Sequence, residues 1–594
     1  MKRIFVVVAG LTGAALALAE VPQAERDAAQ VELRWDLRIR MRDRVELNGN
    51  AYLPRSTRPA ACLLNLTPYN LHGRRHRIAT WFAANGYAYV LVDSRGRGDS
   101  GGTFRAFREA RDGYDTVEWL AQQPWCNGKV AMWGYSYMGY AQWATAKERP
   151  PHLATIVPTA SVFPGVDFPM RSNMPYSYVA RWLTIVSGRP AQERTFLDTD
   201  FWNARTREHF EQGRAYSLLR DFAGDRAATF SEWAGHPQLD SYWDEYVPSP
   251  QQYAALELPV LTITGNYDAD QVGALTFYRN HMRYGSAAAK AAHYLVIGPW
   301  DHDGTNTPAA SFGGMTFGPA SVIDTNRLHL DWYNWTMNGG AKPEFLKDRV
   351  AYYVAGAEQW RYAATLDAVT AREEPLYLSS QGSADDVFAS GSLQKSKADD
   401  AAFDRYVYDP RDVSAAATET VDLENWLTDQ KEAHARTGKL LVYHSKPFDR
   451  STEISGSFRF SAWLAIDQPD TDFYVSVYEI TDDGRSVLLA VDQKRARYRE
   501  SLRRAELVAT REPQLYDFDS FTFVARQVAA GSRLRLVLSP GNSMNNQKNY
   551  NSGKTVAEET MRDARPVTVT LFHDAEHPST LFVPIGQPQS TPTT

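Results

Sequence analysis

The sequence predicts a mostly parallel sheet with helices on both faces, interrupted by an inserted helical cap and followed by an all-β domain. Three observations point there. From about residue 34 to 165, short apolar runs alternate with amphipathic stretches, as a layered strand-and-helix domain requires. Residues 166–250 lose that pattern and become rich in aromatics, Arg and Asp. After about residue 372 the chain turns to short alternating runs with few helical stretches.

In the first stretch, Ala61–Leu66, Ala88–Val92 and Val130–Trp133 read as buried strands. Ala110–Gln123 places Tyr114, Val117, Trp119 and Leu120 on one face of a helix, and Asn127-Gly128 turns the chain into the next strand. The helical cap is expected over 166–251, with Thr206–Phe222 among its helices. The sheet pattern resumes at Leu258–Thr264 and His293–Ile297, each followed by Gly and a polar loop. The runs Lys439–Tyr443, Ile454–Phe460, Phe473–Ile480, Arg533–Leu538 and Val567–Phe572 suit a jelly-roll sandwich over 372–585, with a short tail over 586–594.

The N-terminus reads as a signal peptide over 1–19: Lys2 and Arg3, the apolar run Ile4–Leu18, then Ala17-Leu18-Ala19 ahead of Glu20. The expectation is a periplasmic or secreted protein with no membrane insertion after signal removal. A chain of 594 residues is long enough for several domains, here 20–165 and 252–371 as two parts of one, with the cap between them. The formal net charge of −6 disfavours nucleic acid as a partner and leaves small-molecule or short-peptide substrates. A homo-oligomer is left open.

The chemistry centres on one turn. The strand Val130–Trp133 runs into Gly134-Tyr135-Ser136-Tyr137-Met138-Gly139 and then a helix-compatible stretch, Tyr140–Ala146. A sharp strand-to-helix turn lifts a Ser hydroxyl off the sheet end and makes Ser136 the candidate nucleophile of an α/β-hydrolase. Met138 occupies the usual second Gly position, and Gly139 follows it. A Ser hydroxyl needs a His to take its proton and an acid to fix the tautomer of that His, in the chain order Ser, acid, His. The strand ending in Gly265-Asn266-Tyr267-Asp268 and the strand ending in Gly298-Pro299-Trp300-Asp301-His302 supply Asp268 and His302 in that order. Asp301 and Asp303 around a single His give no tetrahedral metal set, so no metal and no organic cofactor is expected.

With these residues in place, the sequence resembles the CocE/NonD family of cocaine esterase, α-amino acid ester hydrolases, glutaryl-cephalosporin acylases and X-Pro dipeptidyl-peptidases. The resemblance runs from about residue 34 to 585. It rests on Thr67-Pro68-Tyr69, Asp93 to Gly102 (DSRGRGDSGG), the Ser136 turn, the Asp268 and His302 loops, Leu441-Val442-Tyr443, Asp470-Thr471-Asp472-Phe473 and Asn542–Gly553. It implies an oxyanion hole made by the Tyr69 hydroxyl and the backbone N–H of Tyr137, and acyl transfer through an acyl-enzyme. In the amino acid ester hydrolases a carboxylate cluster, part of it just after the catalytic Asp, holds the substrate ammonium. Here that stretch is Ala269-Asp270-Gln271, which keeps one carboxylate as a substrate-binding candidate.

Trp182 stands among the cap aromatics that could wall the pocket, and the basic loop Leu71–Arg77 could draw an acidic acyl group. The fold also places Cys62 beside the strand that follows Cys126, so these two cysteines are a candidate disulfide. The functional expectation is an exported serine hydrolase of ester or amide bonds. The alternatives are an X-Pro dipeptidyl-peptidase and a glycan-binding protein with a relict triad.

Overall fold

In the computed structural model, the described residues are 23–70, 72–397, 402–419, 425–430 and 436–587. The signal peptide expected over 1–19 and most of the expected tail lie outside them. No helix among the described residues is long and apolar enough to cross a membrane.

Ten strands build the first sheet: β1 (Val31–Arg40), β2 (Glu46–Pro54), β3 (Ala60–Thr67), β4 (Ala88–Asp93), β5 (Cys126–Tyr135), β6 (Leu153–Thr159), β7 (Val260–Tyr267), β8 (His293–Asp301), β9 (Val350–Val354) and β10 (Gln359–Ala363). Their order is β1-β2-β4-β3-β5-β6-β7-β8-β9-β10. From β4 to β9 every neighbour is parallel, with an antiparallel hairpin at one edge and the β9/β10 pair at the other. The parallel strands read as unbroken apolar runs because both their faces are covered. Leu64, Leu66, Val90, Val92 and Met132 enter one core, and Leu63, Tyr89, Leu91, Ala131 and Trp133 enter the other.

The chain leaves this sheet after β6, forms short helices including Tyr178–Ile185, Thr199–Glu211 and Ala227–Gly235, and re-enters it at β7. It enters a second sheet at Thr370–Ser379. That sheet is antiparallel apart from the pairing of Gly391–Gln394 with Leu441–Ser445. The molecule is thus an α/β-hydrolase with a C-terminal β domain.

Two local readings are corrected. His72–Arg77 is no loop, because the helix His72–Ala84 starts there and buries Ala79, Phe82 and Ala83 against the sheet, while Leu71 lies outside the described residues. Ile454–Phe460 is not one strand: Thr452–Ser457 pairs with Phe523–Val528 and Arg459–Ile466 with Gln514–Phe518, so one pairing partner changes at Phe458 while both segments also pair with Thr580–Gly586.

Candidate active site

Ser136 sits between β5 and the helix Tyr137–Ala146 with φ 63° and ψ −127°, a conformation that a residue with a Cβ rarely adopts. Its N–H donates to Thr159 O at 3.0 Å and its carbonyl accepts from Tyr140 N–H at 3.1 Å, which fix the turn from both sides. Gly134 has φ 143°, and a Cβ there would stand 2.5 Å from Met138 Cβ. A Cβ on Gly139 would stand 2.6 Å from Thr159 O. The glycine needed for close helix-to-strand approach is therefore one position later than in the usual pattern, and Met138 is free to pack in the core.

His302 follows the end of β8, and Asp268 follows the end of β7, the neighbouring parallel strand. His302 Nδ1 lies 2.8 Å from Asp268 Oδ1. Asp268 also accepts from Thr264 Oγ1 at 2.7 Å and from the Asp270 N–H at 3.0 Å, so both its oxygens are fixed. The imidazole centroid is 5.7 Å from the ring of Tyr135, the residue before Ser136. Asp270 Oδ2 lies 3.6 Å from the same Nδ1. Burial pulls His302 down, but Asp270 and then Asp268 outweigh it and hold the imidazole above its ordinary value. Burial lifts Asp270 to about 7, with His302 opposing and Asp268 adding.

Tyr69 follows β3. Its hydroxyl oxygen accepts from Trp182 Nε1 at 2.9 Å, which leaves the phenolic proton to donate elsewhere. Burial pushes this phenol well above its ordinary value, against the opposing Trp182 bond, so the proton stays on. The Tyr137 N–H belongs to a first helical turn, where N–H groups have no intrahelical acceptor. The Trp182 ring stacks on the Tyr137 ring, centroids 5.6 Å apart. Trp182, predicted as a pocket wall, therefore touches Tyr69 and Tyr137 together.

Several residues around this cluster escaped the sequence reading. Glu109 is buried and accepts from Tyr137 Oη at 2.5 Å, while that Oη accepts from the Phe107 N–H at 2.6 Å. Burial raises Glu109 to about 8. Arg97, fully buried, donates to the carbonyls of Pro68 at 2.7 Å, Val186 at 2.8 Å and Ile185 at 3.1 Å, tying the Tyr69 segment to the cap. Asp167 accepts from Phe163 N–H and Gly273 N–H, and burial and Asp270 together raise it well above the carboxylate range. Nothing in their spacing marks these residues, since each acts through a contact distant in sequence.

Gln271 faces away from substrate chemistry. Its amide donates to the carbonyls of Gly265, Asn266 and Phe523 and accepts from the Phe523 N–H, which clamps the β domain to the end of β7. Cys62 and Cys126 have Cα atoms 5.9 Å apart, within disulfide reach, at the starts of paired strands. The Arg75 guanidinium lies over the rings of Trp133 and Tyr135, at 5.0 and 5.1 Å.

Comparison with known proteins gives two family matches. Residues 43–304 match X-Pro dipeptidyl-peptidase (S15 family), and residues 344–582 match the X-Pro dipeptidyl-peptidase C-terminal non-catalytic domain. The chain is 25% identical over 578 residues to a cocaine esterase from Rhodococcus sp. (strain MB1 Bresler), covering 92% of this chain and 97% of that one. An α-amino acid ester hydrolase superposes with a TM-score of 0.80 at 21% identity, covering 97% of this chain and 100% of that one. An aminopeptidase from a marine sediment archaeon, Thaumarchaeota archaeon, superposes with a TM-score of 0.79 at 20% identity, covering 97% and 99%.

Proposed function

Because the chain belongs to the CocE/NonD and X-Pro dipeptidyl-peptidase (S15) hydrolases, we propose that it is an exported serine hydrolase of ester or amide bonds, working through Ser136, His302 and Asp268. The observation that carries this reading is the strained Ser136 turn beside an imidazole whose Nδ1 is held by a buried carboxylate.

In the proposed reaction, His302 takes the Ser136 proton as Oγ attacks the acyl carbonyl. Asp268 holds the Nδ1–H tautomer and stabilises the imidazolium that forms. The Tyr69 hydroxyl and the Tyr137 N–H receive the oxyanion, which is stronger in charge than the ground-state carbonyl and so gains more from both donors. His302 returns the proton to the leaving alcohol or amine, and water then repeats the sequence on the acyl-enzyme. Export rests on the N-terminal pattern Lys2–Ala19.

A simple acyl ester fits this site better than a substrate with a free α-amine. Asp270 is spent on His302, and Gln271 on the domain clamp. The dipeptidyl-peptidase reading keeps Asp270 as its amine partner. Steady-state kinetics on aryl acyl esters and on chromogenic X-Pro dipeptide amides separates the two. The ester reading expects the higher kcat/KM on the esters, and the reverse order supports the peptidase.

A further inference from the structure

The loop Asn542–Tyr550 of the β domain docks on the cap, where Ser177 N–H donates to Asn545 O at 2.8 Å and Gln547 N–H donates to Pro175 O at 2.7 Å. Between this loop and the helix Thr199–Glu211 lies a cavity of about 20 Å³, lined by Ser177, Thr206, His209, Phe210, Lys548 and Tyr550 among others. Lys548 is only 7% exposed. Its Nζ has no hydrogen-bond partner among the described residues, and neither has the buried Nδ1 of His209. The ammonium rests 4.1 Å from the centroid of the Phe210 ring and 5.6 Å from that of Tyr550.

A buried cation ordinarily has a paired carboxylate, because desolvation without a partner is costly. Among the described residues, the carboxylates that act on Lys548 are Asp412, Asp409 and Glu419, and each is held by another cation: Asp412 by Lys439, Asp409 by Arg411 and Glu419 by Arg436. None of them bonds the amine. Burial lowers Lys548 to about 8, which still leaves it largely protonated at neutral pH. Arg214, also on the lining, adds positive charge.

We propose that this cavity is a site for one small anion such as chloride, held by the Lys548 ammonium and the His209 ring Nδ1, joining the cap to the β domain. The open space of about 20 Å³ meets what a single water or small ion requires. The ion supplies the counter-charge that the ammonium lacks among the described residues and a partner for the ring nitrogen, and it bridges two segments that are far apart in sequence. Ser177 lies between Tyr176 and Tyr178, both of which feel the charge of Asp270, so the site abuts the cap segment nearest the candidate catalytic cluster.

The test is thermal unfolding of the full mature chain in sodium chloride, sodium bromide or sodium gluconate at matched ionic strength. Wild type should show a saturable rise in Tm with either halide over gluconate, as a ligand bound only by the folded state produces. Lys548→Met should abolish it. Equal Tm values in halide and gluconate, or an undiminished halide response in Lys548→Met, would overturn the proposal. If that variant does not fold, a bromide-soaked crystal of wild type decides. An anomalous peak within hydrogen-bonding reach of Lys548 Nζ supports the site, and no peak there at saturating bromide overturns it.

Discussion

The indole N–H of Trp182 donates to the phenol oxygen of Tyr69 at 2.9 Å, across a gap of 113 residues that joins the cap to the end of β3. Because the Trp182 ring also stacks on Tyr137, one cap residue orients the side chain of one proposed oxyanion donor and packs on the residue that supplies the other. Tyr69→Phe removes a donor to the developing charge and should lower kcat on the order of 100-fold to 1000-fold with little change in KM. Trp182→Phe keeps the packing but frees the phenol, and should cause a smaller loss in kcat. Steady-state kinetics on one aryl ester measures both.

Asp270 sets the pH range in this account. His302 must be neutral to accept the Ser136 proton, so the rate rises with pH as the imidazole deprotonates. Asp270 holds that imidazole above its ordinary value. Asp270→Asn removes a negative neighbour, favours the neutral ring and should move the acid limb of the kcat/KM profile to lower pH. A profile that stays in place or moves upward would contradict the electrostatic assignment.

Glu109 makes stability pH-dependent. Burial lifts its carboxyl from an ordinary value of 4.5 to about 8, so between those values the folded state binds the extra proton. Unfolding free energy therefore falls as pH rises through this window, with a slope of at most about 1.4 kcal/mol per pH unit from this group. Glu109→Gln keeps an acceptor for Tyr137 Oη and should flatten the decline between pH 6 and 8, read by denaturant unfolding at each pH.

If the chain is exported as proposed, Cys62 and Cys126 should be joined. Denatured, unreduced protein should show no thiol reactivity, and two thiols should appear after reduction. The bridge closes a separation of 64 residues, worth about 4 kcal/mol in the chain-entropy account, so Cys62→Ala/Cys126→Ala should lower stability by an amount of that order.

How legible each feature was follows from where its physical cause lies. β3, β4 and β5 are visible as continuous apolar runs because both faces are buried. Ser136, Asp268 and His302 were nameable because strand-end turns leave local patterns. The helix His72–Ala84 was hidden, since its first turns are basic and its apolar residues come only in its later part. The break at Phe458 was hidden as well, because the apolar alternation runs on while one of the pairing partners changes. Glu109, Arg97 and the Lys548 cavity depend on contacts between distant segments, which no local pattern encodes.

Intact-mass labelling of the mature protein with a fluorophosphonate, run beside Ser136→Ala, tests the central claim most directly. The account predicts one covalent adduct per wild-type chain, mapped to the peptide that carries Ser136, and none on the folded variant. No adduct on folded wild type, or an adduct that persists in Ser136→Ala, would contradict it.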